Sequence, residues 1–254
     1  MDIKIRNNSY NKAFTLAEVL LTLTIIGIIA SYTIPALIQN VQHMDSVVRV
    51  KKYQAVFSDA LKRYALDNGC IGDYSQCNAF TGESDTAGHT QVWNAIKSSF
   101  NIVKDCGTST GQGCFAKGVM YKYLNGEDYE VWDNTSYPKA ILADGSSIRV
   151  FDYNGNCSSD RSHSNTGPLF YLCAYLAMDT NGDKGPNQVG RDVFWWYITR
   201  YGGILPAGIP DDSYAAYANG TSGCDPSGSS SSSPYPGRGF GCTAKVLKES
   251  VINY

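Results

Sequence analysis

Residues 14–38 read FTLAEVLLTLTIIGIIASYTIPALI, a run of 25 residues whose only charge is Glu18. At about 1.5 Å rise per residue, a helix of this length spans the ~30 Å hydrocarbon core of a bilayer. Lys4, Arg6 and Lys12 precede it, which holds the N-terminus in the cytoplasm and sends everything after about Ile38 across the membrane. The run is too long for the apolar region of a secretory signal peptide, and no A-x-A-like site closes it. A plain signal anchor gives no reason for a carboxylate so early in the apolar run.

The pattern continues beyond the bilayer. Val41, Met44, Val48, Phe57, Leu61 and Tyr64 recur on one helical face, while Arg49, Lys52, Asp59, Lys62 and Arg63 lie mostly elsewhere. Asn68-Gly69 is a C-terminal stop signal, so a single helix is expected from Phe14 to about Asp67. Pro35 removes one backbone hydrogen bond and is expected to kink or loosen it.

The stretch K-A-F-T-L-A-E at 12–18, followed by an apolar helix with Gly27 and Pro35, resembles the cleavage and methylation signature of type IV pilins and type II secretion pseudopilins. The resemblance covers about 30 of the 254 residues. It implies that a prepilin peptidase cuts between Ala13 and Phe14, that the new Phe14 amine is N-methylated, and that Glu18, Gly27 and Pro35 serve assembly. The residue before the cut is Ala13, where the family usually has Gly. The implied partners are that peptidase, other pilin or pseudopilin subunits and an inner-membrane assembly platform.

Glu18 has a physical reading of its own. A carboxylate in a lipid-spanning helix costs several kcal/mol unless paired, and cleavage creates a positive amine on Phe14. A neighbouring subunit's amine can meet Glu18 as subunits stack, which would make the pair a registry device.

The body beyond residue 68 carries eight cysteines, Cys70, Cys77, Cys106, Cys114, Cys157, Cys173, Cys224 and Cys242, all on the exported side of the apolar run. An even number there points to disulfides formed in an oxidising compartment. Their grouping along the chain favours neighbour pairing. No C-x-x-C occurs and the three histidines are scattered, which disfavours zinc. Residues 70–117 read as a disulfide-tied loop with one short helix over Val92–Val103. Strands with turn signals follow at 119–124, 129–132, 140–143 and 148–153, and Leu169–Met178 and Val193–Thr199 read as central strands. Residues 201–241, rich in Gly, Pro and Ser, read as an exposed loop. The fold class is α+β: a long N-terminal helix, half membrane-spanning and half amphipathic stalk, packed on an antiparallel sheet in a pilin-like arrangement with disulfide-tied loops. The segments are a cleaved leader 1–13, a membrane helix 14–38, its amphipathic continuation 39–68 and an exported body 69–254.

One loop has metal-like spacing. Asp179, Asn181, Asp183 and Asp192 place oxygens as calcium would need, although Lys184 and Gly190 depart from the EF-hand pattern. The other reading is a turn in which Asp and Asn bond their own backbone.

The formal net charge of −2 and a pI near 5.9 give no attraction to nucleic acid. No Ser/His/Asp order stands out, so no catalysis is expected, and no cofactor is required. Two functions remain: a fibre subunit of a type IV pilus or type II secretion pseudopilus, and a membrane-anchored adhesin that does not polymerise.

Overall fold

A computed structural model describes residues 14–152, 155–213, 223–231 and 235–254. The expected leader and Ala13 lie outside the described residues. Helix α1 runs from Leu16 to Asp67 and is assigned helical straight through Pro35. It ends at the expected stop. Gly69 adopts a positive φ of 67°, the Cys70 N–H donates to Ala65 O at 3.0 Å and the Gly69 N–H to Leu66 O at 3.4 Å. These two bonds satisfy carbonyls that the last turn would otherwise leave orphaned.

The chain forms two compact units, one ending at Gln42 and the other running from His43 to Tyr254. Within the second unit, the His43–Asp67 part of α1 packs on a six-stranded antiparallel sheet. Its strands are β1 (Ile102–Gly107), β4 (Lys139–Leu142), β5 (Ser147–Asp152), β6 (Leu172–Asp179), β7 (Val193–Thr199) and β8 (Gly203–Pro206), in the order β1-β4-β5-β6-β7-β8. Strands β2 (Met120–Lys122) and β3 (Asp128–Val131) form a separate hairpin. The strands expected at 119–124 and 129–132 thus form a hairpin apart from the sheet that holds those expected at 140–143 and 148–153.

Alternation along the strands explains the layering. Val150, Leu176, Trp196 and Ile198 share a core with Val50, Tyr53, Phe57 and Leu61 of α1. Phe57 meets the Trp196 ring edge-on at 5.0 Å, and the Trp196 indole N–H donates to Gln54 at 2.8 Å. Phe151, Tyr175, Trp195 and Tyr197 belong to a second core, with Phe115, Tyr121 and Trp132. Strands β6 and β7 are therefore covered on both faces, which is why they read as unbroken apolar runs. Arg149 is fully buried in the second core, its guanidinium 3.7 Å from the Trp132 ring centre and paired with Glu130.

Several expectations are corrected. The stalk's buried face runs through Val47, Val50, Tyr53 and Phe57, and Val41, Met44 and Val48 are exposed. The short helix is α2, Thr86–Ile96, because Asp85 caps it by accepting the Gly88 N–H at 2.8 Å. Past it, Lys97–Ser99 form a 3-10 turn, and Ile102 and Val103 begin β1, an edge strand with three exposed residues in succession. The expected exposed loop at 201–241 contains strand β8 and the buried residues Ala207, Cys224, Gly237 and Gly239. A final helix α3, Cys242–Glu249, was not anticipated; only Cys242, Thr243 and Val246 are buried on it.

Candidate functional site

The N-terminal segment is built around one exposed apolar helix. From Phe14 to Ile38 every residue except Ala30 is exposed, with Phe14 at 85%. The helix is long and apolar enough to cross a membrane. Its small polar residues are satisfied internally: the hydroxyls of Thr22, Thr24, Ser31 and Thr33 donate to Val19, Leu20, Ile28 and Ile29 carbonyls at 2.7–3.0 Å. Such back-bonding lets a hydroxyl sit in hydrocarbon without an orphan donor. Among the described residues nothing lies within 4 Å of where a Gly27 Cβ would stand, so its lack of a side chain leaves an open patch on the helix.

Glu18 has a partner that the sequence reading missed. The Thr15 N–H and hydroxyl both donate to Glu18 Oε2, at 2.8 and 3.0 Å, and the Glu18 N–H donates to Thr15 Oγ1 at 3.2 Å. This is a capping box, and the T-x-x-E spacing could have revealed it. The carboxylate also lies at the positive end of the helix dipole.

The 179–192 loop brings Asp179, Asn181 and Asp192 together and leaves Asp183 exposed. Asp179 is fully buried and accepts the Tyr121 hydroxyl at 2.8 Å and the Asn181 and Gly182 N–H groups at 3.1 Å each. Asp192 accepts the Gln188 and Asn187 N–H groups at 2.7 and 2.8 Å and the Asn181 amide at 3.3 Å. Burial raises both carboxyls above the usual carboxylate range, and the Asp192 charge raises Asp179 further. The carboxylate oxygens are thus taken up by loop N–H groups and by Tyr121 of β2, although Asn181 Oδ1 and Asn187 Oδ1 are buried without a hydrogen-bond partner. Among the described residues no group of three acidic, His or Cys side chains converges to hold a metal. The hydrogen bonds are those of a self-braced turn.

Each cysteine is bonded to its neighbour along the chain: Cys70–Cys77, Cys106–Cys114, Cys157–Cys173 and Cys224–Cys242. The last bond ties the start of α3 to the preceding loop. One spelling of a nucleophile-elbow pattern, G-x-S-x-G, occurs at Gly107–Gly111. Its exposed Ser109 follows β1 but leads into the Cys106–Cys114 loop, where the elbow would need a helix.

A long N-terminal helix packed against an antiparallel sheet, with disulfides confined to the body, defines the α+β pilin-like class of fold. Residues 8–33 match the family model of the prokaryotic N-terminal methylation motif, the signature of type IV pilins and pseudopilins. That motif and the apolar helix fit a membrane-anchored, type IV pilin-like protein. No curated protein and no solved structure matches the chain.

Proposed function

We propose that this chain is a structural subunit, a pilin, minor pilin or pseudopilin, that polymerises through residues 14–38 after cleavage between Ala13 and Phe14 and N-methylation of Phe14. Before assembly it is a single-pass protein of the cytoplasmic membrane, N-terminus inside and body outside. An inner-membrane platform then lifts it into a pilus or pseudopilus with other subunits. On this reading it has no catalytic role and requires no cofactor.

The observation that carries this reading is the exposed apolar segment with Glu18 in its first turn. Lipid tails are as apolar as a neighbouring helix, so exposure alone does not drive assembly. A membrane-buried carboxylate does, because it gains from an added positive partner. In a fibre that partner is the Phe14 amine of an adjacent subunit.

Glu18→Ala tests this against the non-polymerising adhesin. Membrane insertion should persist and incorporation into filaments should be lost. Undisturbed incorporation of the variant would sink the assembly reading.

A further inference from the structure

Lys139 opens β4 with its side chain 1% exposed, and the Asp133 side chain beside it is 0% exposed. Lys139 Nζ lies 3.4 Å from Asp133 Oδ1 and donates to the Asn134 carbonyl oxygen. Among the described residues Oδ1 accepts no hydrogen bond, while Oδ2 takes the Gly111 N–H at 2.6 Å. The loop that presents this N–H is closed by the Cys106–Cys114 disulfide. An amine and a carboxyl group are therefore held in contact, away from solvent, without a hydrogen bond between them.

Ionised, such a pair is poorly compensated. Two opposite charges taken out of water regain their hydration only with good geometry and full hydrogen bonding, and Oδ1 lacks its share. The residue opposite Lys139 on β5 is Arg149, a second buried cation. Its carboxylate partner is Glu130, and a guanidinium keeps its proton, so Lys139 is the cation able to give one up. Burial, aided by the Arg149 charge, pulls the Lys139 ammonium below the usual lysine range against the opposing pull of Asp133.

A proton passed from Nζ to Oδ1 leaves a neutral amine facing a neutral carboxyl group, already in place to react. The Nζ lone pair then attacks Asp133 Cγ, and the Gly111 N–H stabilises the negative charge that gathers on Oδ2. The Cγ–Oδ1 bond breaks, and Oδ1 leaves as water carrying two protons from Nζ. One ammonium and one carboxylate become one amide and one water, with no oxidant or group donor required. Two buried charges disappear, and the exclusion of water protects the product from hydrolysis.

We propose that an isopeptide bond joins Lys139 Nζ to Asp133 Cγ, a covalent strap across the β3–β4 connection that is independent of how the chain assembles. Mass spectrometry of the full chain, purified from membranes, reduced, alkylated and digested with trypsin, tests it. Lys139 is the one internal cleavage site within residues 123–149. The linked chain should yield 123–149 as a single uncut peptide lacking one water, with fragmentation placing the loss between Asp133 and Lys139. A succinimide at Asp144-Gly145 would also lack one water, but it would leave Lys139 open to trypsin. Lys139→Arg keeps a cation and a cleavage site but offers no nucleophilic amine, so its peptides should be cut at that position and carry full mass. The expected result is the linked peptide in most wild-type chains. A majority of chains cut after Lys139 at full mass, a water loss mapped outside 133–139, or the same loss in Lys139→Arg would overturn the proposal and leave a buried ion pair.

Discussion

Glu18 and Thr15 hold each other at the start of α1: the Thr15 N–H donates to the Glu18 carboxylate at 2.8 Å, and the Glu18 N–H donates back to the Thr15 hydroxyl oxygen at 3.2 Å. The carboxylate therefore has a partner in its own subunit before any neighbour arrives. Assembly would add the Phe14 amine to a site already aligned by the cap, instead of rescuing a bare charge.

Thr15→Val separates the two roles of Glu18. It removes the hydroxyl and half of the capping box while keeping the carboxylate, at a cost of about 1 kcal/mol to the first turn. Amide exchange should quicken at Glu18, and filament incorporation should fall far less than with Glu18→Ala. Equal loss of assembly in the two variants would mean that the cap, and not the charge, is what the fibre needs.

Asp144 fastens α1 to the β4–β5 turn and should make the body acid-sensitive. Burial raises its carboxyl, but the bonds from Lys52, the Ser146 N–H and Tyr53 outweigh this and hold it at about 2. A depressed carboxyl contributes fully above its unfolded value near ~4 and loses its contribution as the pH falls towards 2. Asp144→Asn should cost about 1–2 kcal/mol at pH 7. The gap between wild type and variant in a melting series should close as the pH falls.

Asp179 acts in the opposite sense. Its folded carboxyl is raised by burial and by Asp192, so its contribution is complete below the unfolded value near ~4 and lost as the pH climbs through the folded one. Asp179→Asn keeps an oxygen for the Asn181 and Gly182 N–H groups and removes the charge. The melting temperature of the variant should equal or exceed wild type at pH 8, and adding or chelating calcium should leave wild type unchanged. A calcium-dependent rise of several degrees would show that the loop binds the ion.

The Cys224–Cys242 bond should stabilise the C-terminal region strongly. It closes a loop of 18 residues' separation, for which chain entropy gives about 3 kcal/mol. Gly190, with a positive φ of 83°, lies so close that an added Cβ would come within 2.7 Å of Cys242 Sγ. The double change of both cysteines to Ser should lower denaturant stability by about 2–4 kcal/mol, with early loss of protection in α3.

The parts of the fold visible in the sequence are those set by burial pattern alone. Helix α1 announced itself by its apolar run and the Asn68-Gly69 stop, and β6 and β7 by continuous apolar residues covered on both faces. Edge elements were hidden: β1 has exposed Val103, Lys104 and Asp105, and β8 is the four residues GILP inside a glycine- and proline-rich stretch. The apolar residues of Val92–Val103 serve two elements, and the capping Asp85 decides where the helix starts. At the candidate site, residue spacing found Glu18, and its T-x-x-E pattern already carried the Thr15 cap, but for the 179–192 acids spacing could not show which N–H groups claim their oxygens.

The most direct test of the central claim is the intact mass of the subunit recovered from assembled filaments, with fragmentation of its N-terminus. The expected species begins at Phe14, lacks residues 1–13 and carries one methyl group on the Phe14 amine. Assembled subunits that retain Met1, or that begin anywhere other than Phe14, would contradict it.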